Sequence, residues 1–114
     1  MNCNYTLNGK LQMVDDESSE FEIVTENGAV NVSKILDNIF DSGLRPQVYV
    51  KVMRGGSLIF EESGGLLFCR DRQGVDSYHI CGLNLSKLLW DSTEEYLEII
   101  IRRGNGNRYN GKTS

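Results

Sequence analysis

Val30-Asn31-Val32-Ser33-Lys34-Ile35-Leu36 and Leu83-Asn84-Leu85-Ser86-Lys87-Leu88-Leu89 are one phrase written twice. Asn, Ser, Lys and the last Leu are identical, and the other three positions are aliphatic in both copies. Any two helix starts share capping residues and apolar spacing, but identity at the polar positions goes further and points to an internal repeat. Each copy follows a glycine-turned hairpin and precedes a strand of alternating aliphatics: Val48, Val50 and Val52 in the first, Leu97, Ile99 and Ile101 in the second. The phrase therefore predicts two β-β-α-β halves, one over about 5–54 and one over about 57–103. A single such unit cannot hide both sides of its own sheet, so the halves must share a core.

Working outward, Tyr5 to Val14 reads as a strand or hairpin around Asn8-Gly9. Phe21 to Thr25 alternates as a strand, Asn27-Gly28 supplies a tight turn, and Ala29 to Val32 returns. The period then changes: Val32, Ile35, Leu36, Ile39 and Phe40 fall three and four apart, an amphipathic helix stopped by Gly43 and Pro46. Either Asn31 or Ser33 can cap its free amides. After the Val48–Val52 strand, Gly55-Gly56 turns the chain into three strands at Leu58–Phe60, Leu66–Cys69 and Tyr78–Cys81. Gly64-Gly65 and Gln73-Gly74 separate them. Leu85, Leu88 and Leu89 mark a second short helix, and Tyr96–Arg103 is the last strand. Turns this frequent indicate an antiparallel sheet. The predicted fold is α+β, one domain over 1–103, mostly antiparallel sheet with two short helices, followed by a flexible basic Gly/Asn-rich tail over 104–114.

The chain has 114 residues, the size of one domain, and 39% of them are apolar, enough for a core. No apolar run reaches membrane-spanning length, since Leu97-Glu98-Ile99-Ile100-Ile101 is already broken by a charge. Met1-Asn2-Cys3-Asn4 shows no basic segment leading into an apolar one, and Cys3, Cys69 and Cys81 form an odd, irregularly spaced set. Both observations favour a cytoplasmic, reducing location. A net charge of −4 makes nucleic acid a poor partner for the core domain. The charge is uneven. Asp15, Asp16, Glu17 and Glu20 crowd one segment suited to a basic partner, while Arg102, Arg103, Arg108, Tyr109 and Lys112 make a cationic end with one stacking surface.

Chemistry-bearing patterns are sparse. His79 is the single histidine, with Cys81 two positions on and Cys69 on the preceding strand. One register of that hairpin would gather the three, but a zinc site wants a fourth ligand and none is evident. Glu61-Glu62 and Glu94-Glu95 are adjacent, so in a strand they face opposite sides. No cofactor motif is present, and an enzyme is not expected. The repeated phrase does put Lys34 and Lys87 in the first helical turn, where cations are disfavoured by about 0.3–1 kcal/mol unless an anion is bound. Asn31, Ser33, Lys34, Asn84, Ser86 and Lys87 are accordingly candidate anion-binding residues.

The expected function is that of a non-enzymatic interaction protein that self-associates into a homo-oligomer. In size and charge it resembles the small acidic proteins with which phages and mobile elements inhibit host defence, a likeness of general character that covers no particular residues. The alternatives are a protein binding phosphate-containing ligands or nucleotides through two helix starts, and single-stranded nucleic-acid binding by the tail.

Overall fold

A computed structural model describes residues 4–14, 20–43 and 46–104. The elements are β1 (Asn4–Met13), β2 (Phe21–Thr25), β3 (Gly28–Asn31), α1 (Val32–Phe40), β4 (Gln47–Arg54), β5 (Ser57–Arg70), β6 (Asp76–Ile80), β7 (Leu83–Asn84), α2 (Leu85–Asp91) and β8 (Tyr96–Gly104). All eight strands join one antiparallel sheet in the order β3-β2-β1-β8-β4-β5-β6-β7. The protein has the expected α+β fold, and each β-β-α-β half opens with one further long strand.

The sheet order is its own mirror about the β8–β4 boundary, and it shows how the halves combine. β8 belongs to the second half yet pairs with β1 of the first, and β4 belongs to the first yet pairs with β5 of the second. Each half thus completes its sheet with the other's last strand. The repeated phrase folds alike in both places. Asn31 and Asn84 are the N-caps, at φ/ψ of −79/105° and −82/99°, and each side chain accepts the N–H three residues on at 2.9 Å. Ser33 Oγ accepts the Phe21 N–H and Ser86 Oγ accepts the Tyr78 N–H, both at 2.9 Å. These hydroxyls satisfy strand amides at the ladder ends and tie each helix to its own hairpin.

Both leading strands change partner midway. β1 pairs with β8 up to Lys10 and with β2 from Lys10 onward. β5 pairs with β4 up to Gly65 and with β6 from Leu66. At these pivots the Leu11 N–H donates to the Glu95 carbonyl and the Leu66 N–H to the Pro46 carbonyl. Gly64-Gly65 is therefore not the turn its composition suggests: β5 runs through it unbroken as one strand and swaps neighbours there. The first hairpin also turns one residue earlier than expected, at Glu26-Asn27, because Thr25 pairs with Gly28 and its hydroxyl accepts the Asn27 N–H.

The core lies between the helices and one sheet face. Val32, Ile35, Leu36 and Ile39 of α1 and Leu85 and Leu89 of α2 meet Val48, Val50, Val52, Leu97, Ile99 and Ile101 from the exchanged strands. Burying each of these side chains contributes roughly 1.5–3 kcal/mol, so the exchanged strands carry much of the stability. Phe40, Phe68 and Tyr78 close one end with ring centroids 5.2–5.9 Å apart. The Tyr78 hydroxyl donates to Asp37 of α1. Burial first, then this bond to a carboxylate, holds the phenol well above its usual range.

Candidate interaction surface

Because β4 and β8 alternate strictly, every residue between their core positions points away from the helices. Three rows of paired side chains run across that opposite face: Asn4–Arg102–Tyr49–Ser63, Thr6–Ile100–Lys51–Glu61 and Asn8–Glu98–Met53–Leu58. None of these side chains is buried. An open sheet face is ordinarily polar. This one sets Ile100, Met53 and Tyr49 at its centre and Tyr96, the first residue of β8, at one end. Tyr96 is 72% exposed. Charges of both signs surround them. The Tyr49 hydroxyl donates to Glu61 at 2.6 Å, a bond that raises its pKa, and the Arg102 guanidinium lies 5.5 Å from the centre of the same ring. Lys10 and Glu94 pair at 3.0 Å. The rows were not visible in the sequence; the signal was the apolar residues at the even positions of β8, which break an inside-outside alternation.

Two clefts meet on this face at Asn8, Gly9 and Tyr96. The larger, about 660 Å³, lies between β1 and the tip of the β2–β3 hairpin, where Val24 on this face and Leu7 and Val30 from the core side give apolar walls and Glu26 a charge. The smaller, about 290 Å³, runs from Tyr96 to the Gly55-Gly56 turn past Met53 and Glu98. Gly9 makes the larger one possible. A Cβ there would stand 1.9 Å from the Val24 carbonyl oxygen, so no other residue lets the hairpin cross β1 so closely. A third, smaller groove of about 210 Å³ lies on the helix side between Phe21, Val75, Lys87 and Trp90.

The other sequence candidates are placed as follows. The Asn and Ser side chains of the two helix starts are engaged within the fold: the Asn caps hold the Lys34 and Lys87 amides, and the serines hold strand amides. The Lys87 ammonium reaches Asp91 at 3.3 Å, a contact of a few tenths of a kcal/mol that offsets part of its cost in the first turn. Glu20 accepts the Asn31 side-chain amide at 2.8 Å, while Asp15, Asp16 and Glu17 lie outside the described residues. Arg102 is on the open face and Arg103 is exposed near the end of β8; Arg108, Tyr109 and Lys112 also lie outside the described residues.

His79, Cys69 and Cys81 part company. Cys69 pairs with Ser77, and His79 pairs with Leu67, so the register that would gather the three is not the one formed. Cys81 leaves the strand altogether. With Gly82 it makes a two-residue turn at φ of 52° and 79°, and its thiol faces the Ser63 carbonyl at 3.2 Å. The imidazole Nε2 lies 3.0 Å from the Ser77 hydroxyl, a neighbour two residues away on the same strand face. Among the described residues no carboxylate bonds the imidazole, and no three His, Cys, Asp or Glu side chains converge on a metal position. No described helix is long and apolar enough to cross a membrane. The chain was compared with protein-family models, curated proteins and solved structures, and none matches it.

Proposed function

We propose that this chain is a non-enzymatic interaction protein that works through the open sheet face, associating there with a second copy and engaging a basic protein partner. The observation that carries the reading is the set of Tyr49, Met53, Tyr96, Ile100 and Arg102 gathered on the uncovered side of the central strands. Tyr, Met and Arg are the residues that interface centres favour, because they bury large areas while keeping a polar or polarisable end. The mixed charges, Lys51 and Arg102 against Glu61 and Glu98, suit pairing with a rotated copy of the same face. The net charge of −4 supports a basic partner and accords with an inhibitor of a host defence protein. The anion-binding alternative draws less support, since the Asn and Ser oxygens at both helix starts already accept backbone amides and the Lys87 ammonium is paired with Asp91.

Sedimentation velocity from micromolar to near-millimolar concentration tests the self-association. The expected result is a concentration-dependent dimer that Ile100→Asp abolishes, since Ile100 faces outward and its change leaves the core intact. A protein that stays monomeric throughout, or an Ile100→Asp variant that associates as well as the parent, would overturn it.

A further inference from the structure

The groove through Tyr96 is more specific than the face it crosses. Four successive residues of β1, Thr6 to Gly9, line its larger cleft, so the cleft runs along the edge of that strand. Among the described residues that edge is free over Asn4 to Asn8: β1 pairs there with β8 alone, the hairpin closes on it at Gly9, and β2 joins at Lys10. Unpaired strand backbone beside apolar pockets is the arrangement in which an extended segment adds itself to a sheet, backbone bonds supplying affinity and alternate side chains supplying choice. Val24, 40% exposed, offers the apolar position on this face.

Charge decides the rest. Glu26 lines one cleft and Glu98 the other, and no described Lys or Arg lines either; Lys10, cross-strand from Tyr96, is paired with Glu94. Between them stands the exposed Tyr96 ring, shared by both clefts. A cation over an aromatic face with carboxylates to either side is favourable, and a guanidinium does it best because it is flat and forks toward carboxylate oxygens. The second half is built differently at the matching place. Its hairpin spans only Ile80 to Asn84 where the first spans Ile23 to Asn31, and the Cys81 thiol sits against the Ser63 carbonyl beside the matching edge of β5. The longer hairpin of the first half is what builds the difference.

We infer that this groove receives an extended, arginine-bearing segment of a partner protein, which adds as a strand to the free edge of β1 and lays its arginine on Tyr96 between Glu26 and Glu98. This deepens the interaction reading above and rests on it. The test titrates the isotope-labelled full chain with two synthetic peptides of alternating Thr and Val, one with a central Arg and one with Glu in its place, following amide resonances. The arginine peptide should shift Thr6–Gly9, Val24–Asn27 and Tyr96 saturably, and the glutamate peptide should not. Exchanging both groove carboxylates, Glu26→Gln with Glu98→Gln, should weaken binding at least about tenfold, with the free protein's spectrum otherwise unchanged. Equal binding of the two peptides, or shifts centred on the helices, overturns the proposal. Should that happen while the Ile100→Asp experiment still abolishes dimers, the occupant is wrong and the open-face reading stands; failure of both removes both.

Discussion

Replacing Gly9 by alanine is a one-methyl change with a large expected cost. The added Cβ would lie 1.9 Å from the Val24 carbonyl oxygen and 2.7 Å from its carbonyl carbon, where an ordinary contact is about 3.4 Å or more. Both obstructing atoms are backbone, so no side chain can swing aside. The hairpin must move by more than an ångström at the residue that pairs with Lys10, and the β1–β2 ladder loosens from that end. Overpacking alone costs about 1–3 kcal/mol. With part of the ladder lost as well, we expect about 3 kcal/mol, a large share of the roughly 5–15 kcal/mol typical of a domain. For a chain near 100 residues that lowers Tm by roughly 12–24 °C. Circular dichroism during heating and urea titration measure it. Gly65→Ala is the control, because its Cβ would be 3.7 Å from the Gln47 side chain, and it should shift stability by less than about 1 kcal/mol. A Gly9→Ala protein within about 1 kcal/mol of the parent would refute the crossing of hairpin and strand.

Other outcomes follow from the same geometry. Asn31→Ala and Asn84→Ala should each cost about 1 kcal/mol by urea denaturation, and by similar amounts, because the two caps are built alike. Tyr78 has a folded-state pKa raised above 10.0, so its contribution is fully present below pH 10 and is lost as the pH climbs past it. Tyr78→Phe should therefore cost about 1 kcal/mol at neutral pH and flatten the alkaline decline in a pH series of unfolding curves. Cutting the chain at the Gly55-Gly56 turn should give two fragments that are unfolded alone and regain the native spectrum only when mixed, since each lacks a strand that the other holds. Deleting 105–114 should leave Tm and self-association unchanged, because the described core ends with β8 at Gly104.

Much of the architecture can be read from the chain because its decisive signals are local. Asn31 and Asn84 cap, Val32–Phe40 keeps helical spacing, and Val48–Val52 alternates, each within a few residues. What the sequence hides is non-local. Gly64-Gly65 looks like a turn because glycine pairs usually are, yet here they serve a strand that changes partner. The exchange of β4 and β8 leaves no local trace, since either strand would alternate in the same way in its own half. Gly9 carries no mark of its importance, because the carbonyl it must admit lies on another strand. The groove depends on a difference in hairpin length between halves, legible only once the halves are aligned in space. The cysteine–histidine register depends on the loop over 71–75, whose turn has no single sequence signature, and Cys81 lies in a turn, a place that positive φ makes unusual for a residue other than glycine.

The central claim is that whatever this protein meets covers the side of the sheet that the helices leave bare. Hydroxyl-radical footprinting of side chains, comparing dilute protein with the associated state, reads this directly. Met53, Tyr49 and Tyr96 should be shielded on association while Trp90, exposed on α2, oxidises as before. Shielding of Trp90 with Met53 and Tyr96 left fully reactive would place the contact on the helix side and contradict the claim.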